Sequence, residues 1–164
     1  MKQNLIILLL ALLLAGAEKA SAQTATIVSS VLPAEVRKTV NIKAVRDFRK
    51  QSGSPADENW SITSDGGWVA SFEANNVKHM QFYTAGGVWQ CHELVYTEEH
   101  LPYNVAEDIR RNFDEYKINN IAELELPTDH VYFINIHNKD NTRFKTIQWH
   151  NGDWQVTKAF ENQR

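Results

Sequence analysis

Ser64-Asp65-Gly66-Gly67-Trp68-Val69-Ala70-Ser71-Phe72 is the stretch that decides the fold. Asp-Gly tolerates the positive φ of a tight hairpin, and the residues after it alternate. Trp68, Ala70 and Phe72 fall on one side of an extended segment, Val69 and Ser71 on the other. Working outward, this hairpin belongs to a unit written twice. The first copy carries Val45, Phe48 and Trp60, the hairpin, then Met80-Gln81-Phe82-Tyr83 before Gly86-Gly87-Val88-Trp89. The second carries Val105, Ile109 and Ile121, then Val131-Tyr132-Phe133-Ile134, then Ile147-Gln148-Trp149 before Asn151-Gly152-Asp153-Trp154. The steps from Phe48 to Trp60 and from Ile109 to Ile121 are both 12 residues. Copies of this kind stack on one sheet and share a core, so neither need be a separate domain.

Each copy opens with a helix. Asn41 is an N-cap candidate ahead of Ile42, Val45 and Phe48, and Gly53 with Pro55 ends that helix. Thr97 is read as the cap of the second helix, with Glu98 and Glu99 near its start and Leu101-Pro102 following the N-terminal proline preference. Leu101, Val105, Ile109 and Phe113 form its apolar stripe. Strands are expected over 118–126, 130–137, 143–150 and 154–158 in the second copy. Hairpin-sized turns cannot make parallel crossovers, which take a dozen or more residues. The expected architecture is therefore α+β: a tandem repeat of helix plus antiparallel strands, forming one curved sheet with two helices on one face. Residues 41–96 and 97–164 are the repeats of a single domain.

The N-terminus reads as an export signal over residues 1–22. Lys2 precedes the apolar run Leu5 to Leu14, and Ala20-Ser21-Ala22 is a small-x-small cleavage site. Residues 23–40 then form a leader or edge segment. Two lysines and one glutamate leave with the signal, taking the net charge from −3 to −4. That balance argues against nucleic acid, whose phosphates need clustered Lys and Arg. Periplasmic or secreted location follows, with no membrane span in the mature protein. Cys91 is the single cysteine, so an intrachain disulfide is impossible. It alternates with Trp89 on one face of a strand and reads as a small buried hydrophobe.

The helix before Trp60, the hairpin to Val69-Ala70-Ser71-Phe72, the strand-turn-strand from Met80 to Trp89 and the Leu101-Pro102 helix opening together resemble the PepSY-like family. These exported proteins, frequent in Bacteroidetes, have a fold similar to the β-lactamase inhibitor protein. The resemblance covers about residues 40 to 160. It implies tandem α/β repeats, no known enzymatic activity and a protein- or peptide-binding role, and it carries no fixed functional motif.

No residue pattern contradicts the non-enzymatic reading. The six histidines form no His-x-x-x-His pair and have no cysteine cluster, so no metal or other cofactor is expected. There is no Gly-x-Ser-x-Gly, and the pairs Glu98-Glu99, Glu107-Asp108 and Asp114-Glu115 read as solvated helix face. Aromatic and hydrogen-bonding residues are the candidates for contact. His79, Gln81 and Tyr83 are placed on the open sheet face, and Trp89, Trp149 and Trp154 beside turns at strand ends. The expected function is an exported non-catalytic binding module, inhibitor-like in form, presenting that face to a protein or peptide partner. A small-ligand carrier with a pocket between sheet and helices is the alternative.

Overall fold

The computed structural model describes residues 39–162. The expected export signal and nearly all of the leader segment lie outside them. Helix α1 (Ile42–Ser52) is followed by strands β1 (Asn59–Ile62), β2 (Trp68–Ala74), β3 (Val77–Tyr83) and β4 (Trp89–Tyr96). A short 3-10 helix (Glu98–His100) and α2 (Tyr103–Asn112) precede β5 (Tyr116–Leu126), β6 (Asp129–Asn138), β7 (Arg143–His150) and β8 (Asp153–Glu161). The eight strands make one antiparallel sheet in sequence order, so every strand pairs with its chain neighbour. Between β4 and β5 the pairing runs from His92↔Glu125 to Tyr96↔Ile121, making the two halves continuous.

Local chemistry explains the elements. The Asn41 side chain accepts from the Lys43 N–H at 3.0 Å and donates to the Ala85 carbonyl at 3.1 Å. One residue thus caps α1 and ties it to the β3–β4 turn. That junction has no space for a larger residue at Gly87. A Cβ there would lie 2.8 Å from Asn41 Oδ1 and 2.9 Å from the Ala44 nitrogen, at a φ of +78°. Asn75 and Asn76, with φ of 53° and 62°, close β2 onto β3 by the left-handed pair that two-residue hairpins require.

The second helix differs from expectation. Thr97 makes no side-chain cap, the 3-10 turn stops at His100, and α2 starts afresh behind Pro102. The reason is the Leu101-Pro102 step. A residue before proline is pushed out of the helical region, and Leu101 sits at φ −72°, ψ 132°. Leu101, Val105, Ile109 and Phe113 nonetheless form one buried stripe. Strands β5 and β8 are longer than the sequence pattern indicates, starting at Tyr116 and ending at Glu161.

Both helices lie on one face of the sheet. Under α1 a cluster joins Ala44 and Phe48 to Trp60, Trp68, Ala70 and Tyr83, with Val40 from the end of the expected leader. Under α2 a second cluster joins Val105, Ile109 and Phe113 to Ile121, Ile134, Ile136 and Ile147. On the reverse face two smaller clusters consist of strand residues alone, Phe82, Cys91 and Leu124 in one and Ala122, Val131 and Phe133 in the other. Among the described residues, no helix is long and apolar enough to cross a membrane.

Candidate functional site

Three groups of side chains have the chemistry for recognition: the reverse face, the β8 edge, and a polar seam between the two helix-side clusters. The reverse face has an apolar centre ringed by half-buried Val69, Met80, Val95 and Leu126. Around it runs a hydrogen-bonded ladder of amides and hydroxyls. Asn135 Nδ2 donates to Asn120 Oδ1 at 2.9 Å, Thr146 Oγ1 to Asn135 Oδ1 at 2.7 Å, and Gln155 Nε2 to Gln148 Oε1 at 3.0 Å. Glu93 is buried on this face, paired across the strands with Met80 and Leu124. Burial pushes its carboxyl up to about 7, with Lys78 opposing, and burial also pushes the Cys91 thiol up to about 12. That thiol is therefore not a nucleophile at neutral pH.

The alternation expected for β3 is present, but its covered side is the opposite one. Gln81 and Tyr83, 2% and 1% exposed, lie beneath α1, while Met80 and Phe82 face the other way. Their polar tips are satisfied inside: Tyr83 Oη donates to Gln81 Oε1 at 2.8 Å, and Gln81 Nε2 donates to Ser52 Oγ at the end of α1, also at 2.8 Å. Polar groups enter a core when each finds a partner, and here each does. His79 is on the same side, stacked at 4.4 Å on Phe72.

The tryptophans divide. Trp89 packs against the α1 cluster, and a register shift at Phe82/Tyr83 sets it on the face opposite to Cys91. The expectation that the two share a face fails because a bulge interrupts the alternation. Trp149 packs on the α2 cluster and donates its Nε1–H to Asp108 Oδ2 at 2.9 Å. Only Trp154 of the three is exposed, at 40%, with its ring 4.9 Å from that of Phe113. Val156 is exposed on the same face of β8, an edge strand, and Phe160 on its other face, stacked 4.8 Å from Phe144.

The seam was not anticipated. His79 Nδ1 meets His92 Nε2 at 3.0 Å, and His92 Nδ1 meets Glu125 Oε2 at 2.8 Å. Next to them His130 Nε2 lies 2.5 Å from Glu123 Oε1, and Tyr96 donates to the other oxygen of Glu123. The imidazoles are thus not isolated solvated groups. Burial, then the neighbouring His92, holds His79 below its ordinary value. The bond from His92 holds Glu125 below the usual carboxylate range. Burial and then Glu123 push Tyr132 up to about 12. At the same end of the sheet His150 Nε2 contacts Asp129 Oδ1 at 2.6 Å, lowering the Asp129 carboxyl. One signal was available. A two-residue turn at 127–128 sets Glu125 opposite His130, and alternation then puts Glu123 on the same face.

Between α2 and the sheet the isoleucines are in direct contact. A depression of about 310 Å³ lies instead at the C-terminal end of α2, lined by Ile109, Phe113, Tyr116 and the Glu98–Arg110 ion pair.

No protein-family model and no curated protein sequence matches the chain. Solved structures do. A BLIP-like protein from Bacteroides fragilis superposes with a TM-score of 0.61 at 12% identity, covering 80% of this chain and 89% of that one. A DUF2874 family protein from Bacteroides uniformis gives 0.59 at 12% identity, over 73% and 87% of the two chains. A Bacteroides eggerthii protein, named as a candidate periplasmic protein, gives 0.58 at 16% identity over 73% and 86%. An open eight-stranded antiparallel sheet with two helices is the fold this chain shares with these BLIP-like and DUF2874 proteins.

Proposed function

We propose that the chain is an exported, non-catalytic binding module of the PepSY-like type, which holds a protein or peptide partner on the sheet face opposite its helices. On this reading residues 41–164 are one domain of two repeats behind a signal peptide at 1–22. The observation that carries it is the composition of that face. Half-buried Val69, Met80, Val95 and Leu126 surround an apolar centre, and no described helix packs on them. The Asn and Gln ladder at its border adds the polar rim that protein interfaces have. Of the residues singled out in the sequence, Trp154 does not belong to this face, because its ring lies 4.9 Å from that of Phe113 on the helix side. His79, Gln81, Tyr83, Trp89 and Trp149 do not either, because they are engaged on the helix side. The tight layer beneath α2 supports a binding module over a small-ligand carrier.

Photo-crosslinking in the native envelope tests the proposal. A photoreactive residue in place of half-buried Ser71 or Gln148, on the open face, should trap a discrete partner. One in place of exposed Tyr103, on α2, should not. Equal trapping at all three sites, or trapping at Tyr103 alone, contradicts it.

A further inference from the structure

The geometry points to a divalent transition-metal site in the seam, with Glu123, Glu125 and His130 as ligands and His92 as the residue that orients Glu125. The ligand atoms of the three all lie within 4.8 Å of one another. An ion with bonds of about 2.0–2.2 Å to nitrogen and oxygen fits among donors at such separations after small side-chain shifts. The two outer ligands have room for those shifts, since the side chains of His130 and Glu125 are 43% and 45% exposed. Glu123, at 13%, is the anchored member, held from one side by the Tyr96 hydroxyl.

Three features distinguish this from a chance meeting of charged side chains. The ligands rise from β5 and β6, a directly paired hairpin, so their backbones are fixed relative to each other. An outer layer is present: His92 contacts Glu125 at 2.8 Å and is itself backed by His79 at 3.0 Å, which is how second partners orient metal-binding carboxylates. The part-exposed side chains of His130 and Glu125 also put the ligand atoms within reach of an ion from solvent. Imidazole with two carboxylates suits zinc, copper or nickel. Magnesium and calcium prefer all-oxygen shells. Nothing in the proposed partner face enters this inference.

Calorimetric titration of the untagged chain with Zn²⁺ tests it. One Zn²⁺ per chain should bind, and His130→Ala should weaken binding by about 100-fold or more. His92→Ala, which removes an orienting partner only, should weaken it by roughly 10–100-fold. Far-ultraviolet circular dichroism checks that each variant keeps its fold. Co²⁺ should give the visible absorption of a low-coordinate nitrogen–oxygen site and lose it in His130→Ala. Absence of Zn²⁺ binding at concentrations up to about 100 μM overturns the assignment. So does equal affinity in the parent chain and His130→Ala, which would place the ion elsewhere.

Discussion

The layer under α1 is chiefly aromatic, and the layer under α2 has an aliphatic centre with Tyr96, Phe113 and Tyr132 at its border. Phe48 meets Trp60 edge-on at 5.4 Å and Phe72 at 5.8 Å, with Tyr83 5.8 Å from Trp60. The other half packs Val105 and Ile109 onto Ile121, Ile134 and Ile147. Aromatic cores bring polar tips with them. Trp60 Nε1 donates to Glu58 Oε1 at 2.7 Å, Glu58 accepts Arg49 at 2.7 Å, and Tyr83, Gln81 and Ser52 form a buried chain. The α2 half keeps its polar contacts at its border, where Tyr96 donates to Glu123 and Trp149 Nε1 donates to Asp108 Oδ2 at 2.9 Å. Two solutions to the same packing problem therefore share one sheet, and they should respond differently to substitution.

The largest expected effects lie in the two cores. Phe48→Ala should cost about 3–5 kcal/mol and Ile134→Ala about 2–5 kcal/mol. Denaturant unfolding checks both, and each should shift one common transition. Two transitions, with each variant moving only its own, would break the comparison by making the halves independent. Next comes Glu93, on the strand that joins them. Its folded-state value of about 7 lies above the ordinary 4.5, so the folded chain holds a proton that the unfolded chain has released. Stability therefore falls as pH rises between these values and stays lowered above pH 7. Glu93→Gln should be stabilising by up to about 3 kcal/mol at pH 8, with little change near pH 4. A pH-independent difference would refute that account.

Smaller effects sharpen the contrast. Tyr83→Phe leaves Gln81 Oε1 without its donor in the aromatic core and should cost about 1–3 kcal/mol. Trp149→Phe removes a peripheral hydrogen bond in the aliphatic half and should cost about 1 kcal/mol, measured in the same unfolding assay. A larger loss at Trp149 than at Tyr83 would reverse the ranking of the two networks.

This contrast also explains what the sequence makes legible. The aliphatic half reads directly: Leu101, Val105, Ile109 and Phe113 have helical spacing, and all are buried. Turns read equally well wherever Asn-Asn, Asp-Gly or Asn-Gly forces a left-handed backbone. The aromatic half misleads. Alternation in β3 separates His79, Gln81 and Tyr83 from Met80 and Phe82, but alternation names two faces without saying which one a helix covers. Polarity then points the wrong way, because Gln81 is satisfied by Ser52, 29 residues earlier in the chain. The bulge at Phe82/Tyr83 hides Trp89 in the same manner. The seam needs the β4–β5 register, a pairing across the α2 connection that no local pattern encodes.

Both halves hang on one continuous sheet, joined where His92 to Tyr96 pairs with Glu125 to Ile121. Native-state amide hydrogen exchange on Phe48→Ala tests it most directly. Protection should fall across β4, β5 and β6 together with β2 and β3, although the substitution touches only the α1 cluster. Unchanged protection in β5 and β6, with loss confined to β1–β3, would contradict it.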